Sequence, residues 1–326
     1  MNPSTRTNPP GSTGQVPGAR ALYADAAPVA RAIEVIPMPA ALGAQVDCGD
    51  VRELDDATFA QVHRAWLDHL VLLIRGQRLD DAALLAFGRR FGELAAAAQV
   101  HTGQKARSVP EIAVISNVRE NGIAIGSLGD GEAVWHSDSG FNEVPPSASL
   151  LHSIEIPAEG GDTGFSNMYL ACERLPQALR HAVRGRTIKH DRRYTSGGQL
   201  REGYLAHQDL RESPGPSHPI IRRHPETGAD ALYLGRRPHA YVNGLSLEAS
   251  EALLDELWSH ATDPSITWHH QWRVGDILIW DNRCTMHRRD AFDPAARRIM
   301  HRTQCKGVPI VEGNGDARHP RAAAVA

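Results

Sequence analysis

Residues 272–302 read WRVGDILIWDNRCTMHRRDAFDPAARRIMHR, and the architecture of the chain is decided in this stretch. The run 276–280 is apolar apart from its first residue and has the length of a buried strand. Asp281 and Asn282 follow as residues suited to a turn, which carries the chain on to His287. After Pro294 the run ARRIMHR reads as a further strand.

The same pattern extends outward from 133 to 303, where short strands alternate with turns containing Pro or Gly. In HPETGAD (224–230) a turn separates the apolar runs 219–221 and 231–234. Two helical stretches interrupt the strands, at 170–183 and 247–260, and the second sets Leu253, Leu254, Leu257 and Trp258 on one side. Upstream, Asp55 or Asp56 can cap a helix in which Phe59, Val62, Trp66 and Leu70 recur at helical spacing. VLLIRG (71–76) then reads as a strand, a second helix starts near Asp80 and buries Leu84, Phe87 and Phe91, and EIAVISNV (111–118) is another strand. No internal repeat is present. The expected fold is mainly β with flanking helices, a double-stranded β-helix core of the jelly-roll, cupin-like kind. One catalytic domain is expected over 31–312. Segments 1–30 and 313–326 are rich in Pro, Gly and small residues without hydrophobic period, and are expected to be disordered tails.

The net charge of −3 gives no excess that would draw the chain to a polyanion, so nucleic acid is not expected as a partner. Cys48, Cys172, Cys284 and Cys305 form no CxxC pair, which predicts neither a disulfide framework nor a thiolate zinc site. No apolar run approaches the roughly 20 residues that span a bilayer, and no signal-peptide core stands at the N-terminus. A cytoplasmic enzyme is expected.

AVWHSDSGF (133–141) places His136 and Asp138 two residues apart, and in a strand such positions share a face. With His287 downstream they make two imidazoles and one carboxylate, the donor set of non-haem iron oxygenases. Taken alone this pattern competes with a His136–Asp138 hydrogen bond in a sheet, and seventeen histidines make a third ligand easy to find. Arg298 and Arg302, four apart in a strand, also share a face. A dicarboxylate needs a planar bidentate partner, which Arg supplies better than Lys. Alternation turns Trp135 and Trp280 away from the ligands into the core. The spacing does not decide whether Tyr169, Tyr194, Tyr204 and His239 line a pocket.

Four blocks, LDDATFAQVHRAWLDHLVLLIRGQ, WHSDSGF, GGDTGFSNM and the 272–302 stretch, together resemble the family of taurine dioxygenase and 2,4-dichlorophenoxyacetate dioxygenase. The resemblance implies an enzyme using Fe(II), 2-oxoglutarate and O2. His136, Asp138 and His287 match the iron ligands, and Thr163 and Arg298 match the pair that binds the distal carboxylate of 2-oxoglutarate. Arg302 matches a residue that contacts the substrate's anionic group in sulfonate-oxidising members, and His101 matches a further substrate-binding histidine. Halogenating relatives replace the carboxylate with a small residue, so Asp138 implies hydroxylation. The segments HPETGADALYLGRRPHAYVNGL, AVISNV and HQWRVGDILIWDNRC resemble the aryloxyalkanoate dioxygenases more than the taurine enzymes. The implied substrate is a small organic anion, oxidised next to an ether oxygen or sulfur so that the product fragments. Alkylsulfonates and alkyl sulfates are the alternatives within the family, and relatives commonly assemble as homo-oligomers. From other classes, a zinc-dependent hydrolase could use the same donors, and a cupin-like binding protein could keep the pocket without turnover.

Overall fold

In the computed structural model, residues 31–97, 109–128, 133–206 and 209–320 are described. Asp55 accepts a hydrogen bond from Thr58 N–H and caps helix α1 (Asp56–His69), and Asp80 does the same for α2 (Asp81–Arg89) through Ala83 N–H. Leu70, at φ 68°, ends α1 and turns the chain into the strand Val71–Ile74.

That strand shows why the fold has two apolar layers. Its side chains alternate: Leu72 and Ile74 pack with Val62, Trp66, Leu84 and Phe87 of the helices, whereas Val71 and Leu73 face the interior. Ile277–Asp281 repeats the pattern, with Ile277 and Ile279 outward against the helices and Leu278 and Trp280 inward. Burying each such side chain is worth about 1.5–3 kcal/mol, so both faces hold the sheet in register.

The strands form an eight-stranded sheet in the order Glu34–Pro37, Ala44–Asp47, Val71–Ile74, Ile277–Asp281, Ala148–Glu155, Ile299–Gln304, Ala113–Ser116, Ser127–Leu128. A four-stranded sheet runs Thr267–His270, Thr163–Asn167, Thr285–Arg289, Ala133–His136. Phe165 and His287 of the smaller sheet meet Trp280 of the larger one, with ring centroids 5.7 and 4.9 Å apart. Two sheets closing on one interior are the expected jelly-roll.

The helical stretch at 170–183 is two helices, α3 (Met168–Glu173) and α4 (Gln177–Val183). Pro176 divides them, because its ring lacks the N–H and crowds the residue before it. Helix α5 (Leu247–Ala261) is capped by Ser246 and buries Leu254, Leu257, Trp258 and Ala261.

The expectation of a loose end from Gly313 fails over 313–320. Asp230 Oδ2 accepts from the backbone N–H groups of Gly315, Asp316 and Ala317 at 2.9, 3.1 and 3.2 Å. The His319 ring stacks on Tyr169 with centroids 4.6 Å apart. The anchor is polar and aromatic, so a search for hydrophobic period passes over it. Residues 1–30 and 321–326, also read as tails, lie outside the described residues. All four cysteines are buried and form no disulfide. Among the described residues no helix is long and apolar enough to cross a membrane.

Candidate active site

His136 ends the strand Ala133–His136 and stands opposite His287 in the neighbouring strand. Its Nδ1 lies 2.8 Å from the Val134 carbonyl oxygen, which can only accept, so Nδ1 carries the proton and Nε2 keeps its lone pair. His287 is set by packing instead, against the rings of Trp280 and Phe165. Asp138 lies just past the strand, before Ser139 at φ 50° bends the chain.

The two oxygens of Asp138 share Arg302 Nη1, which lies 3.4 Å from Oδ1, and otherwise have different partners. Oδ2 accepts from Gln304 Nε2 at 2.9 Å, Ser149 Oγ at 3.2 Å and Arg302 Nη1 at 3.3 Å. Oδ1 lies 3.7 Å from His136 Nε2 and 3.9 Å from His287 Nε2. These separations are too long for hydrogen bonds, yet below the ~4.2 Å that is twice a metal–nitrogen bond of about 2.1 Å. One oxygen and two nitrogens can therefore share one ion. Ser149 is held in turn by Asn282 Nδ2 at 2.7 Å, and Asn282 Oδ1 accepts from Trp280 Nε1 at 2.9 Å. Such outer contacts fix the orientation of ligating groups.

The protonation states agree with this. Burial pushes His287 down to about 3 and also lowers His136, so both imidazoles are neutral near pH 7. Burial opposes ionisation of Asp138, but the positive charge of Arg302 beside it overcomes this and holds the carboxyl below its usual range. Two neutral nitrogens and one carboxylate are what a divalent cation binds.

Arg298 forms a second polar locus. It is 2% exposed, its Nε has no hydrogen-bond partner, and Nη2 reaches only the Gly161 carbonyl at 3.4 Å. Gly161 sits at φ 69°, and a Cβ there would come 3.2 Å from Arg298 Nε, so glycine is what lets the two approach. Burial and the nearby Arg289 push the guanidinium down to about 9, still charged at neutral pH. Asp162 acts on it only from beyond ion-pair distance, and a buried cation with no acidic group in contact among the described residues suits a ligand carboxylate. Thr163, two residues beyond Gly161, is buried with its Oγ1 accepting from Trp272 Nε1 at 3.0 Å.

A family model described as taurine catabolism dioxygenase TauD, TfdA family, matches residues 34–304. The chain belongs to that family. It is an Fe(II)- and 2-oxoglutarate-dependent dioxygenase, an oxidoreductase. It is 33% identical over 294 residues to a (S)-phenoxypropionate/alpha-ketoglutarate-dioxygenase of Sphingobium herbicidovorans, covering 86% of this chain and 97% of that one. It is 31% identical to an alpha-ketoglutarate-dependent sulfate ester dioxygenase of Pseudomonas putida, covering 87% and 93%. The crystal structure of a taurine dioxygenase from Burkholderia xenovorans superposes with a TM-score of 0.68 at 32% identity, covering 90% and 98%.

For this family member the fold brings His136, Asp138, His287 and Arg302 together and puts Arg298 and Thr163 about Gly161. His101 lies outside the described residues. Trp280 was expected to face away from the ligands and does not: His287 sits on a different strand, so alternation around Trp280 says nothing of its side relative to that ligand. Trp135 does turn away, edge-on to His269 at 6.0 Å. Asn282, expected only as a turn residue, also carries the link to Ser149. Tyr169 is committed to His319 and Thr227, Tyr194 stacks on His239, and Tyr204 is exposed. Ser149 and Gln304 escape sequence reasoning because they oppose each other only through strand pairing.

A second buried group, His224, Asp281 and Cys284, also has metal-binding donor types. Its donors are taken. Arg283 Nε and Nη2 hold the two Asp281 oxygens at 2.8 and 2.7 Å, and His224 Nε2 lies 3.0 Å from Asp281 Oδ2. His224 Nδ1 accepts from the Glu226 and Thr227 N–H groups, so Nε2 carries the proton and has no lone pair to offer. This is a structural knot.

Proposed function

We propose that this dioxygenase hydroxylates a small organic anion at a carbon next to an ether oxygen or sulfur, with aryloxyalkanoates favoured as the substrate class. The observation that carries the reading is the buried Arg298, outside ion-pair reach of any acidic group among the described residues and four residues before Arg302, whose Nη1 contacts the metal-type donor Asp138; this asks for a dicarboxylate in the pocket of a metal. A zinc hydrolase would leave Arg298 unexplained, and a binding protein without turnover would form no succinate from 2-oxoglutarate. The similarity over 86% of the chain to a phenoxypropionate-acting enzyme supports the substrate class. The sulfate ester relative keeps alkyl sulfates and alkylsulfonates as the second reading.

In this reading His136, Asp138 and His287 hold Fe(II), which with 2-oxoglutarate and O2 supplies the oxidising power. Arg298 and Thr163 orient the co-substrate by its distal carboxylate. Arg302 steadies Asp138 and borders the substrate, and His101 is a further substrate contact. One oxygen atom enters succinate as carbon dioxide leaves, and the other replaces a substrate C–H with C–OH. In an aryloxyalkanoate the hydroxyl proton passes to the ether oxygen as the C–O bond breaks, giving a phenol and a carbonyl compound. Residues 31–312, with the anchored segment 313–320, make up the catalytic domain, acting in the cytoplasm as a homo-oligomer; four unpaired buried cysteines suit a reducing compartment.

A panel of aryloxyalkanoates, alkylsulfonates and alkyl sulfates, scored by substrate-dependent succinate release, tests the reading. Release with aryloxyalkanoates is expected. Release confined to alkyl sulfates or sulfonates moves the protein to the second reading, and no release with any of the three rejects both.

A further inference from the structure

The turn that carries the chain from the smaller sheet to the larger one sets an indole on the hydroxyl of Thr163. It occupies 272–276, between the strands Thr267–His270 and Ile277–Asp281, and is held from several sides. Asp276 Oδ2 accepts from the Arg273 N–H at 2.9 Å and lies 3.0 Å from His270 Nε2, while Arg75 Nη1 reaches both Asp276 oxygens at 3.1 and 2.8 Å. From the larger sheet, Ser153 Oγ donates to the Arg273 carbonyl at 2.6 Å, and the Gly275 N–H donates to the Ser153 carbonyl at 3.0 Å. The Trp272 ring is buried edge-on to His270, with centroids 4.8 Å apart and planes at 81°. Its Nε1–H donates to Thr163 Oγ1 at 3.0 Å.

The direction of that bond decides what the hydroxyl can do. An indole nitrogen is a donor only, so it engages a lone pair of Oγ1 and cannot take the hydroxyl hydrogen. Among the described residues Thr163 Oγ1 has no second hydrogen-bond partner, which leaves that hydrogen for a ligand. A carboxylate is acceptor-only and can receive it. A bond received by the oxygen also strengthens the one its hydrogen makes. The side of the sheet is right as well. Phe165, two residues along the strand Thr163–Asn167 and so on the same face, packs on the ring of His287 with centroids 6.3 Å apart. Packing alone does not demand the contact. Nε1 of Trp66 and of Trp258 is buried without a partner, so this fold seats indoles whose N–H is left unsatisfied.

We propose that Trp272 is a positioning residue for 2-oxoglutarate. By occupying Thr163 Oγ1 as a donor, it turns the Thr163 hydroxyl hydrogen toward the distal carboxylate that Arg298 also takes. Trp272 acts through Thr163 and needs no contact with the co-substrate. The braces on Asp276 and Ser153 hold the indole in place while the pocket fills, so the hydroxyl is ordered before the carboxylate arrives. This deepens the proposed function and rests on its assignment of Thr163 and Arg298 to the distal carboxylate.

The test is a double-mutant cycle read by anaerobic calorimetry of 2-oxoglutarate binding to the full-length protein loaded with Fe(II), where no turnover occurs. Trp272→Phe keeps an aromatic ring and removes the N–H, and Thr163→Val keeps the branched shape and removes the hydroxyl. From the worth of one neutral hydrogen bond, Trp272→Phe is expected to raise the Kd about three- to tenfold in the wild-type background. In the Thr163→Val background the same change is expected to raise it less than twofold, because the hydroxyl it acts through is gone. An equal loss in both backgrounds marks a general loosening and overturns the inference. Where circular dichroism shows Trp272→Phe to be unfolded, benzothienylalanine at position 272 replaces it in the cycle, since that isostere carries sulfur in place of the N–H. Thr163→Val that leaves 2-oxoglutarate affinity within twofold of wild type strikes the assignment of Thr163 and the inference with it. Thr163→Val that weakens binding, with the change at 272 leaving it within twofold of wild type, strikes the inference alone.

Discussion

Gln304 Nε2 lies 2.9 Å from Asp138 Oδ2, the oxygen that faces away from His136 and His287. Ser149 Oγ bonds the same oxygen, and Gln304 and Ser149 are 2.8 Å apart across paired strands. The larger sheet thus aims a ligand that the smaller sheet carries. Removing either donor frees the carboxylate to rotate without removing a ligand, a change that typically weakens metal binding by about 10–100-fold. Gln304→Ala and Ser149→Ala are each expected to raise the Mn(II) dissociation constant within that range, measured by titration of metal-free protein. Unchanged affinity in both variants contradicts the positioning role.

Arg298→Ala removes the buried cation assigned to the distal carboxylate of 2-oxoglutarate. Hydrogen bonds to charged groups are worth about 1.5–3 kcal/mol, so the 2-oxoglutarate requirement is expected to rise at least tenfold. Arg298→Lys is expected to recover only part, since an ammonium cannot make the fork. Initial rates against 2-oxoglutarate concentration check this, and an unchanged titration curve contradicts it.

Asp281 joins His224 and Arg283, and Arg283 Nη1 also reaches Glu226 Oε1 at 2.5 Å. Breaking a buried pair on one side strands the other charge, at a cost of about 3–5 kcal/mol. Asp281→Asn is expected to lower stability in urea by that order while any folded fraction keeps wild-type Mn(II) affinity. A loss of metal affinity with stability intact would instead assign this group a metal.

Much of this was legible in the sequence. The strand at 277–281, the capped helices after Asp55 and Asp80, and the meeting of His136, Asp138 and His287 follow from local pattern and ordered motifs. What escaped depends on which strands become neighbours. Ser149 and Gln304 are unremarkable in sequence, and so is Trp272 until the fold sets its indole N–H on Thr163. His319 is hidden for a related reason, because its partner Tyr169 lies far away in sequence.

The metal-free protein is expected to lose stability in mild acid. Burial holds His190 and His287 at about 3, against an unfolded value of about 6.5. Between these values the unfolded chain binds more protons, so the contribution is fully present above pH 6.5 and falls as pH drops toward 3. The slope is at most about 1.4 kcal/mol per pH unit for each imidazole. Urea midpoints at pH 7.5, 6, 5 and 4 check it, and midpoints that do not move contradict the buried neutral state.

The central claim is that His136, Asp138 and His287 hold the iron of a 2-oxoglutarate-consuming enzyme. Its most direct measurement is succinate formation by Asp138→Ala beside wild type, with Fe(II), 2-oxoglutarate and O2 supplied under metal-controlled conditions. Loss of turnover to a small fraction of wild type, in a variant that folds, is the predicted result. Turnover at the wild-type level would contradict the ligand assignment.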